Sequence, residues 1–320
     1  MTTGADRLRP EWGSLPLAIR SAVLEAIGGR FVSDAPAHGG FSASYAGVVE
    51  TSTGRAFVKA CAADWHGDSL HFIRQEMHTL GMLPASLGPR VVATIESDAG
   101  SALVLEAIDG RHPGAPWTAD DLHAIAASMA RLSQTAAPEG MERAEDRLVP
   151  SFTRWADIAA TPPLLDGLPD SLRSRLPELL QLEEGFVPAL QGDSLVHDDL
   201  RADNILISDG LAHLLDWPHA RRGAAWVDLP CLLPSIEAFG RPRCEQAWRI
   251  FQEHGAPPPE ALLAVISGFT SFLWFNQARP EIPELPGLRA FQRRQAEPAM
   301  RWLSALLSAS PRTADDRPLA

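Results

Sequence analysis

The segment Val196–Trp217, with the sequence VHDDLRADNILISDGLAHLLDW, differs in pattern from the chain around it. Most of the surrounding sequence has apolar residues at helical spacing, whereas Ile205–Ser208 and Leu211–Leu215 are short apolar runs on either side of Asp209-Gly210. An Asp-Gly pair between two such runs is a strong signal for a two-residue β-turn. The sequence therefore predicts an isolated β-hairpin within a helical part of the chain.

The predicted hairpin brings polar side chains together at its open end. In this register Asn204 enters the first strand opposite Leu215, Asp216 follows directly, and the loop upstream brings Asp199 to the same end. An amide oxygen and a carboxylate form an oxygen-only donor set, which suits Mg²⁺. For any one of these residues, the turn preference of Asp and Asn is sufficient explanation. The whole set, with matching residues elsewhere in the chain, favours a metal site.

The first 110 residues or so have the pattern of a β-rich unit. YAGVVET (45–51) and AFVKACA (56–62) are strand-like runs around a turn, and VVATIES and ALVLEAI repeat this arrangement around 98–100. Successive hairpins predict an antiparallel sheet. One helix interrupts them in DSLHFIRQEMHTLGML, with Asp68 as its predicted N-cap.

A change of character follows at DGRHPGAPW (109–117), which is rich in Gly and Pro and is predicted to be a linker or hinge. Thr118 then caps a long helix, and further helical patterns lie around 148–160, 172–190, 260–277 and 288–308. We therefore predict an N-terminal lobe at 1–108, a linker at 109–117, a helical lobe at 118–309 and a disordered tail at 310–320.

Composition limits the classes of function. The 320 residues are 45% hydrophobic, which is enough for a sizeable core, and the net charge of -12 argues against binding to nucleic acid or anionic membranes. No apolar run approaches the ~20 residues of a membrane span, and the start MTTGADRLRPEWG has no signal-peptide core. The three cysteines lack metal-type spacing. These features predict a reduced, cytoplasmic protein; they do not indicate an oligomeric state.

Three motifs resemble those of the aminoglycoside phosphotransferase family, antibiotic kinases related in fold to protein kinases. HDDLRADN (197–204) resembles the catalytic loop His-x-Asp-x-x-x-x-Asn, LLDW (214–217) resembles the metal-binding Asp segment, and GAAWVDL (223–229) resembles the Gly…Asp-Leu that follows. The resemblance spans roughly 31–307. It implies a protein-kinase-like α+β fold, with a small antiparallel β-sheet N-lobe carrying one helix and a larger, mainly helical C-lobe.

The resemblance also assigns roles within the loop. Asp199 takes the place of the catalytic aspartate, and Asn204 and Asp216 take the places of the Mg²⁺ ligands. Phosphoryl transfer passes through a loose transition state, so positioning and charge neutralisation supply most of the catalysis. Asp199 would orient the acceptor hydroxyl and receive its proton.

Other polar residues of the segment receive supporting roles. His197 is interpreted as a structural prop, and Asp228 matches the position that ties the loop to the helical core, with a helix N-cap or surface residue as the alternative. Arg201 either contacts phosphate or pairs with a nearby aspartate. Asp198 is expected at the cavity edge or surface, and Asp203 is expected to support the loop.

The sheet lobe supplies candidates for nucleotide binding. Lys59 resembles the lysine that reaches the α- and β-phosphates, and Glu76 on the following helix is its expected ion-pair partner. In GGFSASYAGVV (39–49), Gly40 with the hydroxyl of Ser42 or its neighbour Ser44 is a candidate phosphate cradle; a plain Gly-containing turn is the alternative. LVLEAIDG resembles the strand that leads into the kinase hinge, which places Glu106–Ile108 against the nucleotide base.

The sequence gives fewer signals for the residues that bind the acceptor. The aromatic helix end FTSFLWFNQARPE (269–281) offers Trp274, Phe275 and Asn276 as candidate lining residues, and core packing is the alternative for all three. Asp198, Glu237 and Glu281 could bind a cationic substrate, with a solvated surface as the alternative.

We therefore predict an Mg²⁺-dependent O-phosphotransferase that uses ATP or GTP and acts on a small hydroxylated molecule. The preferred acceptor is an antibiotic, aminoglycoside-like or other, with resistance or self-protection as the role. The alternative is a metabolic kinase of a sugar, an amino alcohol such as choline, or a homoserine-like amino acid. A catalytically dead nucleotide-binding protein is disfavoured because the expected lysine, glutamate, aspartates and asparagine are all present.

Overall fold

A five-stranded antiparallel sheet forms the N-terminal part of the protein in the computed structural model, which describes residues 9–37, 40–114, 117–240, 242–253 and 257–309. Its strands lie in the order β1-β2-β3-β5-β4. They are β1 (Phe31–Pro36), β2 (Tyr45–Thr51), β3 (Arg55–Ala62), β4 (Val91–Ser97) and β5 (Gly100–Glu106). The β2-β3 and β4-β5 hairpins confirm the antiparallel sheet predicted from the sequence.

Two helices, α1 (Leu17–Ile27) and α2 (Gly67–Met82), lie against this sheet. Helix α1 was not predicted from the sequence, although Ile19 and Val23 recur at helical spacing and both are fully buried in the structure. The prediction of Asp68 as the N-cap of α2 was wrong. His66 is the cap, because its Nδ1 accepts the backbone N–H of Ser69 at 3.2 Å, while Asp68 lies in the first turn near the positive end of the helix dipole.

The rest of the described chain is mainly helical, as predicted. Its helices are α3 (Ala119–Ser133), α4 (Ala144–Phe152), α5 (Trp155–Ala159), α6 (Pro162–Asp166), α7 (Asp170–Arg173), α8 (Leu176–Leu182), α9 (Phe186–Leu190), α10 (Asp228–Ala238), α11 (Cys244–Gln252), α12 (Pro259–Asn276) and α13 (Leu288–Ala309). Two small ladders stand among them, formed by β6 (Ser194–Val196) with β9 (Arg221–Gly223) and by β7 (Ile205–Ser208) with β8 (Leu211–Leu214).

The β7-β8 hairpin has the register that the sequence predicts. Ile205 pairs with Leu214, and the backbone N–H of Leu215 donates to the carbonyl of Asn204 at 2.8 Å. Asp209 (φ 50°) and Gly210 (φ 75°) form the turn with positive φ at both positions, as a type I′ turn requires. The open end of the hairpin therefore carries Asn204 and the start of the Asp216 segment side by side.

The segment predicted to be a linker is fixed to this hairpin over its described residues, 109–114 and 117. Arg111 forms an antiparallel bridge with Ile207 through backbone hydrogen bonds of 3.0 and 2.8 Å, and its guanidinium pairs with Asp121 of α3 at 2.6 Å. One apolar cluster then runs from Ile73 and Leu103 beside the sheet into the helices. The sheet and the helices therefore share one buried apolar core. Within the described ranges, no helix combines the length and apolar character of a bilayer span. The tail 310–320 lies outside the described residues.

Candidate active site

A lysine between two carboxylates joins the sheet to the helical part. Lys59 Nζ on β3 lies 2.6 Å from Glu76 Oε2 on α2 and 2.7 Å from Asp216 Oδ1 after β8. Glu76 is 1% exposed, and its other oxygen accepts the backbone N–H of Trp217 at 3.3 Å. Burial alone would lower the pKa of Lys59, but the two carboxylates reverse the effect and raise it, so the ammonium stays charged. The predicted pair of Lys59 and Glu76 is thus brought together.

Asp216 faces this lysine from a strained backbone position. Its φ is 67°, a left-handed conformation that is rare for a residue other than glycine. Burial opposes its ionisation, yet the adjacent Lys59 ammonium holds the pKa of Asp216 well below its usual range. The side chain remains 39% exposed toward the cleft. It is therefore a fixed anion with an accessible carboxylate edge.

The backbone of the loop between β6 and β7 is hydrogen-bonded to the side chain of Asp228, the first residue of α10. Its two carboxylate oxygens accept the backbone N–H groups of His197 at 2.7 Å and Asp198 at 2.8 Å. Asp228 is 4% exposed, and burial raises its pKa to about 7. This is the tie between loop and helical core that the resemblance implied.

Replacing Asp228 with alanine is expected to destabilise the fold by about 2–6 kcal/mol, because the two backbone N–H donors would lose the carboxylate that accepts them, at about 1–3 kcal/mol each. Chemical denaturation monitored by circular dichroism measures the change. Glu297→Ala, on the exposed face of α13, is the matched control and should stay within about 0.5 kcal/mol of the wild type. Equal stability of the two variants would contradict the anchoring role.

His197 fits a structural part in this loop. It is fully buried, its Nε2 lies 2.9 Å from the carbonyl oxygen of Leu215, and its ring lies against Trp217 with centroids 4.5 Å apart. Burial lowers its pKa to about 4, so the ring is neutral at pH 7 and Nε2–H donates to that carbonyl. The ring thereby connects the loop between β6 and β7 to the end of the β7-β8 hairpin.

Asp198 lies at the cavity edge, one of the two positions expected for it, but its side chain is buried. The side chain is 2% exposed and accepts a hydrogen bond from Arg147 of α4 at 2.7 Å, and the residue is among those that line the cavity. Its φ of 62° lies in the left-handed region. Burial raises the pKa of Asp198 to about 6 against the opposing charge of Arg147. The two neighbouring carboxylates thus have different surroundings, because that of Asp198 is enclosed by an arginine and that of Asp199 is more exposed to the cleft.

Asp199 borders the cleft with its side chain 25% exposed. Asn204 Nδ2 donates to its carbonyl at 2.8 Å and approaches its Oδ2 at 3.3 Å, and Arg201 Nη1 lies 3.4 Å from Oδ1. Burial raises the pKa of Asp199, while Arg201 and Arg147 oppose the rise. Arg201 is bound mainly to Asp203, at 3.0 and 3.2 Å, so its pairing with a nearby aspartate is what the structure shows.

Several described residues of the loop between β1 and β2, Gly40 and Ser42 among them, line the cleft. Gly40 has φ 71°, and Ser42 Oγ bonds Ser44 Oγ at 2.7 Å and Ser69 Oγ of α2 at 3.3 Å. The serines are therefore ordered by each other and by α2. Gly39, the other glycine at the start of this stretch, lies outside the described residues.

Two contacts of this loop were not anticipated from the sequence. Phe41 packs against Phe291 of α13 with ring centroids 4.9 Å apart, and the Arg201 guanidinium lies within 6 Å of both rings. Arg9, upstream of α1, borders the same cavity and donates to the carbonyl of Ser44 at 3.3 Å. A single phenylalanine or arginine at these sequence positions carries no signal of such a contact.

The residues expected at the nucleotide base also border the cavity. Glu106, Ala107 and Ile108 are among its lining residues. The backbone N–H of Glu106 already donates to Arg90 O at 2.9 Å, and its carboxylate accepts the backbone N–H of Arg90 at 2.8 Å. The backbone N–H of Glu106 is therefore already engaged within the protein.

The aromatic residues proposed for the acceptor side are not among the lining residues. Trp274 Nε1 donates to Leu164 O at 2.9 Å, Phe275 lies beneath the guanidinium of Arg154, and Asn276 bonds back into α12. The preceding turn of α12 lines the cavity instead, with Phe269, Phe272 and Leu273. The contacts of Trp274, Phe275 and Asn276 thus agree with packing among the helices, which was the alternative given for them.

The cleft itself is a cavity of about 590 Å³. Its lining includes Lys59 and Ile108 from the sheet side and Asp199, Asn204 and Asp216 from the helical side. A volume of this order suits a small molecule, and convergent polar groups at one place in an otherwise apolar cavity are typical of an active site.

Solved structures of kinases share this architecture. A choline kinase from Streptococcus pneumoniae matches with a TM-score of 0.58 at 15% identity, covering 90% of this chain and 98% of that one. A microcompartment-associated aminopropanol kinase matches at 0.58 and 18%, covering 91% and 98%. An aminoglycoside-3′-phosphotransferase of type VIII matches at 0.51 and 20%, covering 80% and 98%. The fold is therefore the protein-kinase-like α+β fold.

Within that class, the chain belongs to the phosphotransferase enzyme family, whose model matches residues 35–264. This confirms the resemblance found in the sequence, and the protein is an enzyme of the kinase type. No curated protein sequence matches the chain.

Proposed function

We propose that the protein transfers the γ-phosphate of ATP or GTP to a hydroxyl group of a small molecule, with Mg²⁺ as cofactor. One arrangement supports this most strongly: Lys59 is held between Glu76 and Asp216 at one side of a cavity that Asp199 borders from the other. A cation for phosphate, an anion for a metal and an accessible carboxylate for a hydroxyl are the parts that phosphoryl transfer requires.

On the donor side, Lys59 would bind the α- and β-phosphates through an ammonium that its two carboxylate partners keep charged and fixed. The loop with Gly40 and Ser42 would cover the phosphates with backbone N–H groups, since a positive φ lets successive N–H groups point to one side. The segment Glu106–Ile108 would hold the base.

The residues at the open end of the hairpin fit Mg²⁺. Asn204 donates through Nδ2 to Asp199, which leaves its amide oxygen as the metal-binding atom, and Asp216 is a permanent anion. Among the described residues no group of three or more His, Cys, Asp or Glu is arranged for a metal. Two protein oxygens completed by water and phosphate oxygens are a common Mg²⁺ site. The ion, when bound, would offset negative charge on the phosphates.

Asp199 would accept a hydrogen bond from the acceptor hydroxyl and take its proton as the new O–P bond forms and the bond from the γ-phosphorus to the bridging oxygen breaks, which releases the nucleoside diphosphate. Its raised pKa makes it a better base than an ordinary aspartate. Arg201, bound to Asp203, would keep the loop in place and limit the rise of that pKa. Asp228 and His197 would hold the loop backbone in register.

An antibiotic remains our proposed acceptor, with a metabolic alcohol as the alternative, in a cytoplasmic protein. A screen of nucleotide consumption tests the proposed function: ATP and GTP are each supplied with Mg²⁺ and a panel of antibiotics, nucleosides, sugars and amino alcohols. Phosphorylated products are identified by ³¹P NMR and mass spectrometry, with Asp199→Asn as the negative control. Acceptor-dependent transfer that disappears in the control supports the proposal. Its absence with every acceptor and both nucleotides contradicts it.

A further inference from the structure

Beyond Asp199 the cavity continues into a compartment bordered by helices, which we call the acceptor compartment. Its wall is formed by Phe152 of α4, Phe269 and Phe272 of α12, and Leu285 and Leu288 around the start of α13. The Phe152 ring lies 5.5 Å from Phe269 and 5.2 Å from Phe272, centroid to centroid. The wall is therefore a continuous apolar surface contributed by three separate elements.

The carboxylates near this compartment already have partners. Asp198 is enclosed by Arg147 at 2.7 Å, Asp203 is paired with Arg201, and Asp228 accepts two backbone N–H groups. On the side of the cavity proposed for the nucleotide, the carboxylates of Glu76 and Asp216 are both paired with Lys59. Among the carboxylates of the described residues that line the cavity, a cationic substrate would be left with that of Asp199, which is the group proposed for the acceptor hydroxyl.

The other acidic residues considered for a cationic substrate lie elsewhere. Glu237 pairs with Arg301 and accepts the backbone N–H of Cys244 at 2.8 Å. Glu281 borders a separate depression whose other charged lining residues are arginines, Arg279 and Arg289 among them. Neither glutamate is a lining residue of the main cavity.

Apart from Asp199, the polar side chains that line this part of the cavity are either neutral or already paired. Ser151, Gln292 and Gln295 contribute hydroxyl and amide groups, and the charge of Arg147 is compensated by Asp198. Burying an ammonium group without an anionic partner is costly, whereas apolar surface is buried favourably and a hydroxyl or carbonyl can be satisfied by amides. The lining thus discriminates by charge against cationic alcohols.

Resting on the proposed function, we infer that the acceptor is an uncharged, predominantly apolar alcohol, whose ring or chain packs on Phe152, Phe269 and Phe272 while its hydroxyl reaches Asp199. Polyamino sugars and quaternary ammonium alcohols are excluded by the same lining. If the acceptor is an antibiotic, it is therefore an uncharged and predominantly apolar one.

A matched pair of ligands tests this assignment by binding alone. 6-Ethyl-2-naphthaleneethanol and 6-(aminomethyl)-2-naphthaleneethanol share one shape and the same hydroxyl, and they differ in charge because the aminomethyl group is an ammonium at pH 7. Each is titrated calorimetrically into the full chain with Mg²⁺ and a non-hydrolysable ATP analogue. The neutral alcohol is expected to bind at least tenfold more tightly than the ammonium. Phe272→Asp should remove or reverse this preference.

Leu285→Asp is the second variant, since Leu285 lies in the connection before α13 and its replacement disturbs the helical core less. Leu211→Asp is the charge control, because Leu211 is 51% exposed on the hairpin, and its preference should equal the wild type. Tighter or equal binding of the ammonium, or no binding of either ligand, overturns the inference. The titration needs no turnover, so it fails independently of the phosphate-transfer screen.

Discussion

Asp199→Ala is expected to lower kcat for phosphate transfer by about a thousandfold, within the usual 10²–10⁴ contribution of a positioned general base. The affinity for Mg²⁺-nucleotide should change little, because Lys59, Glu76 and Asp216 form their contacts without the Asp199 side chain. Stopped assays of acceptor phosphorylation give kcat, and calorimetric titration gives the nucleotide Kd.

Asp203→Ala is the matched control for this experiment. It removes a carboxylate two residues before the hairpin strand that is bound to the same arginine, Arg201, but it leaves the proposed base in place. A loss of less than about tenfold is expected. Undiminished turnover in Asp199→Ala, or equal losses in the two variants, would contradict the assignment of Asp199.

Asp216→Ala is expected to weaken Mg²⁺-dependent nucleotide binding by about a hundredfold, which corresponds to about 2.8 kcal/mol. Two effects act in the same direction. The metal loses its anionic ligand, and Lys59 loses one of the two carboxylates that fix its position. Titration of nucleotide with and without Mg²⁺ separates them, because only the first effect depends on the metal.

The exposed Asp193, whose side chain is 80% exposed and pairs with Arg222, provides the control for removing one negative charge. Asp193→Ala should bind nucleotide as the wild type does at either Mg²⁺ concentration. If Asp216→Ala retains the full Mg²⁺ dependence of binding, then the open end of the hairpin is not the metal site.

Local sequence was a good guide wherever a short motif determines its own geometry. The Asp209-Gly210 turn sets the register of β7 and β8, and that register alone brings Asn204 beside the Asp216 segment. The pairing of Lys59 on β3 with Glu76 on α2 was likewise predictable, in this case from the resemblance of their two segments to those of the family.

Contacts between elements that are distant in the sequence could not be predicted from local sequence patterns. The burial of Asp198 depends on Arg147, which lies 51 residues upstream, and nothing near either residue specifies their meeting. The acceptor wall depends on which turn of α12 faces α4, and a helix that is apolar on most of its surface gives no such direction. Phe269 and Phe272 were therefore passed over for Trp274 and its neighbours.

The contact of Phe41 with Phe291 joins the two sides of the cleft. Phe41 belongs to the loop between β1 and β2, whereas Phe291 belongs to α13, and both side chains line the cavity. If this loop moved away from α13, the two rings would separate and expose apolar surface to water, which costs free energy. The aromatic pair therefore favours the arrangement in which the loop stays against the helices.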